Sequence, residues 1–499
     1  MKRVPTIAAL AVFLVHLVAN PHYGFFRDEL YFIVCGRHPQ WGYVDQPPIV
    51  PLLAALSQLF GHSLVLLRAV PALFAAGGVF VTCLLVIEFG GGAFAQAVAA
   101  LAFFFAPVLM SFGMKVGTDE VGLMFWPLIA LLIVRIARGA NPKLWLLTGL
   151  IAGLSFESKY SVLFFLGALL LGLLVTTERR ILFNRWLAAG VGLGLLIALP
   201  NVLWQFHYGW PMLELLRNGQ NGKNLIPSAP FYALQELIIT NPLLAPEWIV
   251  GLIWLLRTPP MRFLGYAYIG LIAEMLLFHG KHYYPANIYP ILIAAGAVPL
   301  EAWTTQLPFA RVLVTAYTIV AGCTMIPDVL PILPEEAFIT YAAQRDRIAH
   351  LSSKAVATEH GREDNLLPAD WADMHGWPEM AAGAKSVYDS LPPGERRDAV
   401  VFAGNYGEAS AVAFFAPDVP VISEHNQYWL WGTRGYSGEI LIQINGSCFN
   451  SLGLFRSRTR VTTLKNRYAI SFEDNIPIWI CRGPKEPLSR VWPQLKTYE

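Results

Sequence analysis

Two pairs of adjacent acids, Asp28–Glu29 in RDELYF and Asp119–Glu120 in GTDEVG, stand beside the ends of apolar segments. A carboxylate next to a membrane surface can act as a general base. It takes the proton of a hydroxyl while that oxygen forms a new bond, as sugar transfer to a hydroxyl requires. Neighbouring acids at a helix start point in different directions, so only one of each pair would face a given substrate. Acids also favour the first turn of a helix, so each pair has a second reading as a cap, with Thr118 as N-cap of the second. Asp45, in GRHPQWGYVDQPP, is a further acid, which could bind substrate or a metal or simply be solvated.

Cations and hydrogen-bond donors gather at other points. ESKYS sets Glu157 and Lys159 into an apolar stretch. Ionisable groups in such places are functional candidates that need partners, and an ion pair between these two is the plain alternative. HGKHYYPANIYP collects Lys281, His282, Tyr283 and Tyr284. These suit a phosphate, which lysine meets as a point charge. His282 could instead share a divalent ion with a carboxylate such as Asp45. A snorkelling lysine in an aromatic belt is the structural alternative. Arg68 is another charge in an apolar run, LVLLRAVPAL, and Trp41 and Tyr43 suit a membrane-interface belt.

The elements that must position these residues are membrane helices. The chain has 499 residues, 55% hydrophobic and 14% charged, with mean hydropathy +0.48. A soluble domain carries about a quarter charged residues. The net charge of +2 offers no basic excess for nucleic acid. About eleven apolar spans are expected, near 4–20, 63–88, 93–112, 119–138, 144–157, 159–176, 184–205, 242–257, 262–279, 286–304 and 309–327. The pair around ESKYS reads as two short helices or one broken helix. No small-residue cleavage site follows the first segment, which therefore reads as a retained helix. Lys2, Arg3, Arg135, Arg138, Arg179, Arg180, Arg257 and Arg311 alternate consistently with one side, taken as cytoplasmic. An odd number of spans then puts the C-terminus outside, on the side of the acid pairs. Residues 49–60 are apolar but too short to span, and read as an interfacial helix.

From about residue 328 charged residues become common and apolar runs shorten. Helix-like stretches at 334–352 and 376–390 alternate with strand-like AVVFAG, VPVIS, EILIQI, RVTTL and IPIWIC. The expectation is a membrane domain over 1–327 and a small external α/β domain over 328–499. Small residues in GNYG, at the start of a helix, could hold an anion, and Trp429 and Trp431 could dock on the membrane or stack on a sugar. Cys448 and Cys481 could pair in an oxidising compartment, although spacing does not fix connectivity.

Together RDELYFIVCGRHPQWGYVDQPP, GTDE, ESKYS and KHYYPANIYP resemble the C-type (GT-C) membrane glycosyltransferases. The likeness is to the bacterial branch with the aminoarabinose and galacturonosyl transferases, and more distantly to protein O-mannosyltransferases. It implies a GT-C fold with interfacial helices in the first external loop, in a bacterial inner membrane with a periplasmic tail. It implies an inverting enzyme that moves a sugar from a polyprenyl-phosphate donor to a lipid, glycan or protein acceptor. By the same likeness Asp28 is the base, supported by Glu29, and Asp119 orients the acceptor or shares the acid role. Trp41, Asp45 and Glu120 fall on the acceptor side. Aminoarabinose transferases carry Glu-Lys before the double proline, where this chain has Asp45 and Gln46. Phosphate contacts must then come from Lys281, His282, Tyr283, Lys159 or Arg68, and a metal on Asp45 and His282 is the one cofactor the likeness allows. A transporter or lipid flippase is the rival class. It predicts charges at the bilayer midplane and an internal repeat, whereas here the charges collect towards one face.

Overall fold

The computed structural model describes residues 3–349, 358–359 and 365–499. The chain divides into two compact units. One comprises Met1–His22, Val65–Leu203 and Ile226–Leu333, and the other Tyr23–Leu64, Trp204–Leu225 and Pro334–Glu499.

The first unit is built from helices. Among the described residues three helices have the length and apolarity to cross a membrane: Leu64–Glu88, Glu120–Ala137 and Arg185–His207. Arg3–Ala19, Ala93–Phe105, Leu144–Phe156, Val162–Leu174 and Pro308–Cys323 are shorter apolar helices. Several expected spans are thus divided or trimmed, for local reasons. The run 93–112 breaks at Ala106, held extended (φ −75°, ψ 113°) by the proline that follows. The run around ESKYS forms two short helices, Leu144–Phe156 and Val162–Leu174, joined by a turn. Helices Ala245–Arg257 and Tyr289–Thr304 approach until their backbones touch. A Cβ on Gly251 would lie 1.9 Å from the Leu292 carbonyl oxygen, and one on Gly296 would lie 2.0 Å from that of Glu247. Small residues permit such packing where no hydrophobic effect drives helices together.

The second unit holds a five-stranded sheet. Its strands are β1 (Ala399–Ala403), β2 (Val421–Ser423), β3 (Ile440–Ile444), β4 (Phe455–Leu464) and β5 (Ile476–Pro484), in the order β2-β1-β3-β5-β4. All five strand-like runs lie on these strands. β1 pairs in parallel with β2 and β3, with Val401 opposite both Val421 and Ile442, while β3–β5 and β5–β4 are antiparallel. β1 and β3 are buried along their whole length, which is why they read as unbroken apolar runs. β4 is an edge strand, and its exposed Arg456, Arg458 and Arg460 discourage further pairing. Helix Tyr406–Phe415 makes the crossover from β1 to β2. Val400, Phe402, Leu441, Leu488 and Trp492 pack into a core that also encloses a Cys448–Cys481 disulfide. Helices Glu335–Ala349 and Trp377–Ser390 fall on the two helix-like stretches; residues 350–352 of the first lie outside the described residues.

This unit also contains most of the first loop, with helices Arg27–Arg37 and Ile49–Ser57. Around the second of these Leu52, Leu56, Leu59 and Phe60 are exposed, the last at 89%. That apolar edge is what an interfacial helix would turn to lipid.

Candidate active site

The acids of the first loop have separate partners. Glu29 is fully buried and accepts a hydrogen bond from the Phe26 N–H at 2.8 Å, closing the start of its own helix. Asp28, one residue earlier, points elsewhere. Its Oδ1 accepts from the Tyr406 hydroxyl at 2.8 Å and from Arg27 Nε at 3.4 Å, and 31% of its side chain remains exposed. Arg27 itself is buried, reaches Asp373 at 3.8 Å and lies 5.2 Å over the Tyr406 ring.

Asp45 joins the same neighbourhood. Tyr31, one helical turn beyond Asp28, donates to Asp45 Oδ1 at 3.0 Å, and Asn426 Nδ2 donates to Oδ2 at 3.3 Å. Burial raises the Asp45 carboxyl to about 7; the Asp28 charge adds to this, while the bonds from Tyr31 and Asn426 oppose it. Burial also pushes the Tyr31 and Tyr406 hydroxyls well above the ordinary phenol range, so both stay protonated and donate. Beside Asp45, Gln46 is buried, and both polar atoms of its side chain lack a hydrogen-bond partner among the described residues. Trp41 is 66% exposed.

GNYG does begin a helix, Tyr406–Phe415, but the anion at its start belongs to the chain. Asn405 caps the helix by accepting from the Glu408 N–H at 3.0 Å. The Glu408 carboxylate takes the Gly404 N–H at 2.7 Å and the Asn445 amide at 2.9 Å. Asn405 bridges it to the buried Glu473, at 3.1 and 2.7 Å. Burial raises both carboxyls, and burial followed by the Glu408 charge raises Glu424 to about 7. A carboxyl whose folded pKa lies above its unfolded one binds its proton more tightly in the native state. Its stabilising contribution is therefore complete below the unfolded value and lost as pH rises through the folded one. Replacing Glu424 with glutamine should accordingly flatten the fall in thermal stability between about pH 5 and pH 7, read as unfolding temperature against pH for wild type and variant. Trp429 is committed to packing: its indole donates to the Trp492 carbonyl, and the Trp492 indole donates to its own, both at 3.0 Å.

The first unit gathers a second set. Asp119 is the N-cap of Glu120–Ala137, in place of Thr118, but its side chain does not cap. Its Oδ2 pairs with Lys159 Nζ at 2.6 Å, and its Oδ1 is buried with no hydrogen-bond partner among the described residues. Lys159 thus takes Asp119 as its ion-pair partner, not Glu157. The same ammonium lies 4.7 Å from the Tyr284 ring centroid and 5.5 Å from that of Tyr283. Asn287 donates to the Asp119 carbonyl at 3.1 Å, which ties ANIYP to GTDE. Glu120 is buried and accepts from the Gly117 N–H at 3.1 Å, as a first-turn acid does. His282 is buried; burial and then the Lys281 charge lower its imidazole to about 4, so it is neutral near pH 7. Lys281 is half-buried beside it. Arg68 is 1% exposed and donates to the carbonyls of Asn20 at 2.5 Å and His22 at 3.2 Å.

The sites for a metal are poorly furnished. Both Asp45 oxygens already accept from protein donors, and no group of three His, Cys, Asp or Glu side chains is gathered among the described residues. Among the described residues Asp45 and His282 are not joined by a third ligand into a metal set.

The site residues that sequence reasoning missed are Tyr31, Tyr406, Asn426 and Asn287. Tyr31 had a signal, since i and i+3 share a helix face. Tyr406 and Asn426 had none locally, lying 378 and 381 positions from the acids they meet.

Residues 45–204 match the family model for dolichyl-phosphate-mannose-protein mannosyltransferase. The chain is similar to ArnT from Cupriavidus metallidurans in its undecaprenyl-phosphate-bound crystal structure. The two share 15% identity with a TM-score of 0.60, over 96% of this chain and 99% of that one. For the apo ArnT structure the identity is again 15%, the TM-score 0.58 and the coverage 96% and 98%. The Archaeoglobus fulgidus oligosaccharyltransferase, crystallised with zinc and sulfate, is a fainter likeness: 13% identity, TM-score 0.48, over 89% of this chain and 68% of that one. No curated protein sequence matches the chain. The resemblance to the C-type membrane glycosyltransferases therefore stands at the level of the fold, which is helical with a small sheet.

Proposed function

We propose that this protein is an inverting membrane glycosyltransferase that moves a sugar from a polyprenyl-phosphate donor to an acceptor on the external face. The observation that carries the reading is a half-open carboxylate, Asp28, held by hydrogen bonds on a fold shared with a protein crystallised with undecaprenyl phosphate. Asp28 takes the proton of the acceptor hydroxyl. The acceptor oxygen bonds to the anomeric carbon from the side opposite the phosphate, the carbon–phosphate oxygen bond breaks, and polyprenyl phosphate leaves. Lys159, with Tyr283, Lys281 and neutral His282, forms the phosphate side and stabilises the leaving group. Asp119 and Glu120 of the first unit and Asp45 and Trp41 of the second are the acceptor residues of this reading, and Asp119 Oδ1, with no hydrogen-bond partner among the described residues, is an oxygen for an acceptor hydroxyl. Arg68, engaged with two carbonyls, supports the backbone near the first loop and acts on phosphate at most indirectly.

The membrane part has about eleven spans over 1–327, with Ile49–Ser57 lying along the surface, and the domain over 328–499 is periplasmic. The Cys448–Cys481 disulfide supports that placement, since disulfides persist in oxidising compartments.

The test is reconstitution of the purified protein in vesicles with a panel of polyprenyl-phosphate sugars. Cleavage of at least one donor is the expected result. Binding of the lipids without any cleavage would sink the reading, and passage of an intact sugar or lipid across the bilayer would favour the transporter or flippase class.

A further inference from the structure

We infer that Tyr406, in the C-terminal segment, is a positioning residue for the Asp28 carboxylate, so that the α/β tail takes part in catalysis. The inference rests on the transferase reading above and extends it to a residue far from the loop motifs.

The Tyr406 hydroxyl is the shorter of two bonds to Asp28 Oδ1, at 2.8 Å against 3.4 Å from Arg27. Its own position is fixed on three sides. The Tyr31 ring lies 4.6 Å away, the His425 ring 4.9 Å, and the Arg27 guanidinium 5.2 Å above it. The residue after it explains how the helix comes so close. A Cβ on Gly407 would stand 2.4 Å from Arg27 Cγ and 2.7 Å from Cδ, so only glycine lets the start of Tyr406–Phe415 lie against the Arg27 side chain. Asn405 and Glu408 lock the same turn from the other side. A fixed donor thus meets one oxygen of a carboxylate whose side chain is 31% exposed. A base must sit in one orientation to take a proton in flight. The tail contributes to that orientation, while the helix supplies the carboxylate.

A bond that merely docks the tail predicts a different outcome from one that aims a base. The experiment compares kcat and KM for wild type, Tyr406→Phe, Asp28→Asn and the double variant, using a polyprenyl-phosphate sugar that wild type turns over. Tyr406→Phe should lower kcat by about 10- to 100-fold with KM changed by less than about 3-fold, and have no effect beyond about 2-fold once Asp28 is Asn. Wild-type kcat in Tyr406→Phe, or the same loss in both backgrounds, would overturn the inference. Should Tyr406→Phe misfold, 3-fluorotyrosine at 406 keeps ring and hydroxyl while altering donor strength. A changed kcat supports positioning, and an unchanged one counts against it. If wild type cleaves no donor, the transferase reading falls and this inference with it. If wild type and Asp28→Asn differ as expected but Tyr406→Phe matches wild type, only the positioning role falls.

Discussion

Asp28→Asn should lower kcat for sugar transfer by about 10²- to 10⁴-fold, the range that a positioned general base contributes. The substitution also weakens the 3.4 Å contact with Arg27, which keeps Asp373 at 3.8 Å. Asparagine has nearly the same shape, and its carbonyl can still accept from the Tyr406 hydroxyl, now 2.8 Å from Asp28 Oδ1. The helix start is secured by Glu29 rather than by Asp28. Stability and donor binding should therefore be close to wild type, so KM should move little while kcat collapses. Glu29→Gln is the informative contrast: its effect should appear first as a lower unfolding temperature. Steady-state kinetics together with thermal unfolding of both variants separate base from cap.

Lys159→Met is expected to have the next largest effect, on two quantities at once. The Lys159–Asp119 pair is short and mostly enclosed, with side chains 20% and 12% exposed. Removing one partner from such a pair strands the other charge, at a cost of about 3–5 kcal/mol. Activity should also fall, by about 10²- to 10³-fold, because a preorganised cation is lost from the phosphate side. Adding Asp119→Asn separates the two effects. The double variant no longer has a stranded charge and should regain much of the stability, but not the activity. Recovery of both would make the pair purely structural. The geometry also specifies the resting state: before a donor arrives, the candidate phosphate ligand is held by a carboxylate and two tyrosine rings.

Much of this architecture was legible because it is local. Buried strands such as Ile440–Ile444 read as continuous apolar runs, and the five expected strands were found in place. The ESKYS and KHYY motifs do come together, through Lys159 and the two tyrosines. The capping alternative proved half right: Glu29 and Glu120 bond to backbone N–H groups, while Asp28 and Asp119 do not serve as side-chain caps. What stayed hidden is long-range. Asp28 and Tyr406 are 378 positions apart, and no periodicity links a loop acid to a tail tyrosine. Helix lengths were also overestimated, since hydropathy runs smoothly through Pro107 while the backbone does not. The Cys448–Cys481 bond spans 33 positions, a distance that by itself excludes no other pairing.

The central claim is that sugar leaves a polyprenyl phosphate on this protein with Asp28 as base. Release of free polyprenyl phosphate from a labelled donor, counted per protein molecule in reconstituted vesicles, tests it most directly. Many turnovers are expected for wild type with a hydroxyl acceptor present, and almost none for Asp28→Asn. Equal release by the two proteins, or intact donor recovered from both across the whole donor panel, would contradict the account.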